Sequence, residues 1–213
     1  MRAVRLGVLT VVSVLSCAGF FMSAALAESH DAKSSVAAVK LAFARLAQTK
    51  SYRVESKGSA SGVKIDSRID AQFPDHFHIL NRGPNPSELI LTPEGSFAKT
   101  DANSPWRAVP MSYRSIADSM GPKANENLLK SMRNVVFKGA AKCASGDSEN
   151  ALAAQYQFET DSAADGKTRM RTTITIAKHT GLPCRIRAQQ SDAGIDTTAS
   201  YNYTSKFSIR APL

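Results

Sequence analysis

At Ser51 the hydrophobic period of the chain drops from about 3.6 residues to 2, and it returns to 2 in almost every segment that follows. Tyr52, Val54 and Ser56 alternate with Arg53, Glu55 and Lys57, and then Val63, Ile65, Ser67, Ile69 and Ala71 alternate in turn. The two runs read as an antiparallel hairpin around a loose turn over Gly58 to Gly62. A third strand, His76 to Leu80, resumes after the break at Pro74-Asp75, and Glu88 to Thr92 and Ser96 to Thr100 flank Pro93-Glu94-Gly95 as a second hairpin. The last third of the chain repeats the pattern in five runs: Asn134 to Cys143, Ala151 to Thr160, Thr168 to Lys178, Cys184 to Ser191 and Thr197 to Ile209.

Helical spacing interrupts this series in two places. Ser34 or Ser35 caps a helix whose Val36, Val39, Phe43, Leu46 and Ala47 recur at three and four, ending near Thr49. Ile116, Met120, Leu128, Leu129 and Met132 form a second apolar stripe, which Gly121-Pro122 divides into two short helices. The order helix, strands, helices, strands specifies an α+β fold. We expect a large curved antiparallel sheet, an incomplete β-barrel of about 9–11 strands, with two or three helices covering its concave face.

The N-terminus has the form of a secretory signal peptide over residues 1–27: Arg2 and Arg5, an apolar run from Leu6 to Leu26, and the small-residue triplet Ala25-Leu26-Ala27. Cleavage after Ala27 leaves residues 28–213 as one domain's worth of chain, exported to the periplasm. The apolar run is long for such a segment, so an uncleaved membrane anchor is the alternative. Val14-Leu15-Ser16-Cys17 loosely resembles the site at which bacterial lipoproteins are acylated, but Cys17 is followed by Ala-Gly-Phe-Phe-Met and reads more simply as part of the apolar run. Without Arg2 and Arg5, the 27 basic residues become 25 against 18 acidic ones, a net charge of +7. These charges are scattered among each other with no basic block, which fits a solvated surface and not a nucleic-acid partner.

After cleavage two cysteines remain, Cys143 and Cys184, and an even pair in an oxidising compartment reads as a disulfide. Neither has the companion ligands that a zinc site needs. Catalytic patterns fail on context. Ser61-Gly-Val-Lys64 lies on a strand where a serine nucleophile with its lysine needs a helix start, and His179 separates Lys178 from Thr180. His76 and His78 share one face of a strand, with Phe77 and Ile79 on the other, but two histidines fall short of a metal site. We therefore expect no catalytic residues, no metal and no cofactor.

Several features come together in a recognisable order. The helix leads into Ser51-Tyr52, Pro74-Asp75 precedes a strand, and Trp106 is followed by Val109-Pro110. Thr180-Gly181-Leu182-Pro183 and the closing Tyr201-Asn202-Tyr203 to Ile209-Arg210-Ala211-Pro212 come last. In this order the chain resembles the LolA/LolB-like lipoprotein carriers and the related LppX/LprG-like lipid carriers. The resemblance implies an incomplete barrel lidded by helices, and a ligand, a lipid or an acylated lipoprotein, whose acyl chains sit in the cavity. No functional residue of the family matches a position here. The candidate lining consists of Leu89, Leu91, Phe97 and Trp106 from the strands and of Met111, Ile116, Met120, Leu128, Leu129 and Met132 in or beside the lid helices, although an ordinary core would need the same spacing. The reading is a monomeric, non-catalytic carrier of an apolar ligand. Its alternative is a sensor or interaction module of the same fold that contacts an envelope protein.

Overall fold

The structure, a computed structural model, describes residues 32–120, 122–143, 151–161 and 168–212. The signal segment with Cys17 and the turns at Ser145-Gly146-Asp147 and Asp165-Gly166 lie outside the described residues. Helix α1 (Ala32–Gln48) precedes strands β1 (Ser51–Ala60), β2 (Val63–Gln72), β3 (His76–Asn81), β4 (Ser87–Thr92), β5 (Gly95–Lys99) and the two-residue β6 (Arg107–Ala108). Helices α2 (Tyr113–Met120) and α3 (Pro122–Ser131) follow, separated where the proline cannot continue the hydrogen-bond ladder. Then come β7 (Arg133–Cys143), β8 (Ala151–Asp161), β9 (Arg169–Ala177), β10 (Pro183–Gln190) and β11 (Ile195–Asn202).

All eleven strands form one antiparallel sheet in the order β6-β5-β4-β3-β2-β1-β11-β10-β9-β8-β7. Each half of the chain is a meander, and the halves join where β1 pairs with β11. The edges β6 and β7 do not pair, so the sheet curls without closing. The expected α+β half-barrel is the fold observed.

Two expectations at strand ends need correction. The turn after β1 is tighter than the loose turn expected over Gly58 to Gly62: β1 and β2 pair as far as Ala60 with Val63, and only Ser61 (φ 50°) and Gly62 (φ 78°) reverse the chain, both with left-handed backbone. Gly58 is a strand residue, required because a β-carbon there would collide with the Asp196 carbonyl of β11. The last strand ends at Asn202, not at Ile209. The Asn202 side-chain oxygen accepts the backbone N–H groups of Thr204 (2.9 Å) and Ser205 (3.0 Å), which turns the chain out of the sheet. Beyond this turn the tail runs on with Phe207 over the Arg53 guanidinium and Ile209 buried.

The disulfide Cys143–Cys184 links β7 to β10 with the Cα atoms 5.7 Å apart, although β8 and β9 lie between them. Three undistorted strand spacings would cover roughly 14 Å, so the end of β7 folds over its neighbours. It crosses them at Ala153 and Ala177, which face each other on β8 and β9 and are small enough to be covered by Ala141 and the cysteines. A bulge between Pro183 and Arg185 in β10 turns Cys184 toward this cluster, away from the face that Ile186 and Ala188 occupy.

Candidate functional site

The inner face of the half-barrel can be followed row by row, because register places one residue from each strand beside the next. At the end where β1 begins, the rows are apolar and aromatic. Tyr52, Ala71, Phe77 and Leu91 form one, and Tyr201, Val54, Ile69, Ile79 and Leu89 the next. Tyr52 packs against Phe73, Tyr201 and Tyr203 at centroid distances of 5.5, 5.8 and 6.1 Å, and Phe73 meets Phe77 edge-on at 5.5 Å. The Tyr203 hydroxyl donates to the Pro183 carbonyl at 2.6 Å. Burial pushes the pKa of both Tyr52 and Tyr203 upward, so this end of the face stays neutral.

Toward the β1–β2 turn the rows become smaller and hydroxylic. One runs Ile174, Ile186, Ala199, Ser56, Ser67, and the next Phe158, Thr172, Ala188, Thr197, Gly58. Thr160 faces Met170, and Gln190 faces Ile195, at the rim. Ser56, Ser67, Thr172, Thr197 and Thr160 are each at most 2% exposed, and none of their hydroxyls has a hydrogen-bond partner among the described residues. The Gln190 side-chain carbonyl and the whole Asn125 amide of α3 share that condition. Ser56 and Ser67 lie directly opposite each other across β1 and β2 without bonding. No charged residue occupies any of these rows.

The helices roof this face. Val39, Phe43 and Leu46 of α1, Ile116 and Met120 of α2 and Leu128 of α3 belong to one buried cluster with Leu89 and Leu91, and Met111, Leu129 and Met132 pack at its margin. Eight of the ten residues read from the sequence as candidate lining therefore meet on the inner side. Phe97 and Trp106 stand apart. Ala98 is the β5 residue that joins the core, so Phe97 points to the outer face opposite Ile90, and the Trp106 ring lies there beneath the Lys99 ammonium at 4.9 Å. The hydroxyl rows were missed. Their signal was present as Ser56 and Ser67 falling on the same phase as Val54, Ile65 and Ile69.

The outer face differs chemically. An open trough of about 720 Å³ crosses β1 and β8–β11 there, floored by Lys57, Arg185, Arg187, Gln155 and Thr173, with Arg187 paired to Asp196 at 2.6 Å. The Asp75 carboxylate and the His76 ring approach to 2.7 Å, as do His78 and Glu88, and both histidines point away from the buried Phe77 and Ile79. Polar, charged and open, this face offers nothing to an acyl chain.

No protein-family model matches the sequence, and no curated protein matches it significantly. Solved structures do. Lipoprotein LppX of Mycobacterium tuberculosis superposes with a TM-score of 0.60 at 10% identity, over 84% of this chain and 100% of that one. MucB gives 0.46 at 12% identity, over 79% of this chain and 60% of its own, and a DUF1329 family protein from Desulfovibrio piger gives 0.32 at 9%, over 82% and 92%. The likeness to LppX shows the fold, the LolA/LolB-like half-barrel.

Proposed function

We propose that this protein is an exported, periplasmic carrier that holds the acyl chains of a lipid or an acylated protein between the inner face of the half-barrel and its helices, without chemistry. The observation that carries this reading is the inner face itself, a broad uncharged surface roofed by three helices where a second sheet would pack permanently. The fold shared with LppX and the disulfide, which suits an oxidising compartment, support it.

The energetics are sufficient. Each buried methylene contributes about 0.8 kcal/mol, so ten buried methylenes match the roughly 8 kcal/mol of a micromolar complex. In the structure the helices occupy the face, and a ligand enters by displacing them. Helices α2 and α3, of 8 and 10 residues, are the elements suited to move, because helices this short are marginal apart from their tertiary contacts.

The test is a titration of the mature protein with an environment-sensitive fluorescent fatty acid. We expect emission to rise and saturate at about one probe per protein. Emission that stays at the level of probe in buffer contradicts the carrier reading and leaves the half-barrel as an interaction module.

A further inference from the structure

We infer that the ligand is an uncharged amphiphile carrying ester or alcohol groups, and that Ser56, Ser67, Thr172 and Thr197 are the residues that hold those groups. The inference rests on the carrier reading and specifies its ligand.

Buried polar atoms in native proteins are almost always hydrogen-bonded, because an unpaired one loses its water without compensation. Here four hydroxyls, each at least 98% buried, lack partners among the described residues, and they lie in two adjacent rows. Nothing about the strands demands hydroxyls. Valine has the shape and strand preference of threonine, and alanine would fill the serine positions. A group that costs stability in the ligand-free fold and is isosterically replaceable points to a partner that arrives with the ligand.

The surroundings narrow what that partner is. Gly58, Ala188 and Ala199 separate the hydroxyls, so the surface between them is low enough for a ligand to approach. A hydroxyl donates to an ester carbonyl and both donates to and accepts from an alcohol. The same rows contain no lysine or arginine, so an ionised phosphate would lose its hydration with no counter-charge in reach. The gradient along the strands also sets an orientation. The apolar chains lie toward Tyr52 and Phe77, and the ester or alcohol lies toward the β1–β2 turn.

The experiment measures displacement of the fluorescent fatty acid by dioleoylglycerol, by squalane and by dioleoylphosphatidic acid. It compares the wild type with Thr172→Val/Thr197→Val and, separately, with Ser56→Ala/Ser67→Ala, and records the melting temperature of each ligand-free protein. We expect each double variant to bind dioleoylglycerol about tenfold more weakly, to bind squalane as before, and to melt no lower than the wild type. Wild type should prefer dioleoylglycerol to phosphatidic acid. Unchanged dioleoylglycerol binding in both variants, a melting temperature that falls by several degrees in both, or tighter binding of phosphatidic acid each overturns the inference and leaves the carrier reading intact. If neither the fluorescent fatty acid nor any of the three lipids binds the wild type, the carrier reading itself is overturned, and this inference with it.

Discussion

Asp70 shows how one residue on the outer face is tied into the fold. Its side chain is buried, and both carboxylate oxygens accept from Arg53, at 2.6 and 3.0 Å, while the Arg68 Nε stands 3.6 Å away. The hydrogen bond from Asp70 is the main reason the Arg53 pKa is raised. Breaking a buried pair typically costs 3–5 kcal/mol, and because Arg53 is partly exposed we expect Asp70→Asn to cost about 2–3 kcal/mol in urea denaturation at neutral pH. Glu88 makes a pH-dependent contribution. Burial opposes its ionisation, but Lys99 and His78, each 2.7 Å away, outweigh that and hold its pKa below the ordinary glutamate value. A carboxylate with a depressed folded pKa stabilises the fold fully above its unfolded value, about 4.3, and the contribution fades as the pH falls through the lower folded pKa. The stability difference between wild type and Glu88→Gln should therefore be constant from pH 7 to about pH 5 and shrink below pH 4; a difference that grows on acidification contradicts this assignment.

At the scale of elements, the tail beyond Asn202 and the edge strand β7 are held by few contacts, and each can be tested alone. The tail buries Ile209 and sets Phe207 over Arg53. We expect Ile209→Ala to cost about 2–3 kcal/mol, read by thermal or urea unfolding. The disulfide closes a loop of 41 residues and draws the end of β7 across β8 and β9. Replacing both cysteines with serine should cost about 2–4 kcal/mol. Amides of β7 and β8 should then exchange faster than those of β1 and β2. Most strands, the three helices and the Cys143–Cys184 pairing were legible in the sequence, because period and cysteine parity are local properties. The bulge at Cys184 was not. On paper Cys184, Ile186 and Ala188 share a phase, and an extra residue becomes visible only against the partner strand. The end of β11 was missed for a similar reason: the tail keeps its alternation after the Asn202 turn has taken it out of the sheet.

For the molecule as a whole, the open sheet with unpaired edges β6 and β7 leaves a concave face to be covered, and three short helices cover it. The site was partly legible. Leu89, Leu91 and the lid residues from Met111 to Met132 announced their side by helical or strand phase, whereas β5 has apolar residues on both phases, and Ala98, not the larger Phe97, faces the core. The hydroxyl rows looked like ordinary strand residues, since whether a serine is satisfied depends on neighbours that only the fold supplies. Central to this account is that the concave face takes up a lipid. Native mass spectrometry of the protein, exported by its own signal and purified without detergent, tests that directly. The account predicts a population heavier than the mature, disulfide-bonded chain by the mass of one uncharged lipid, released on denaturation. A single lipid-free species that also takes up nothing from lipid vesicles would contradict it.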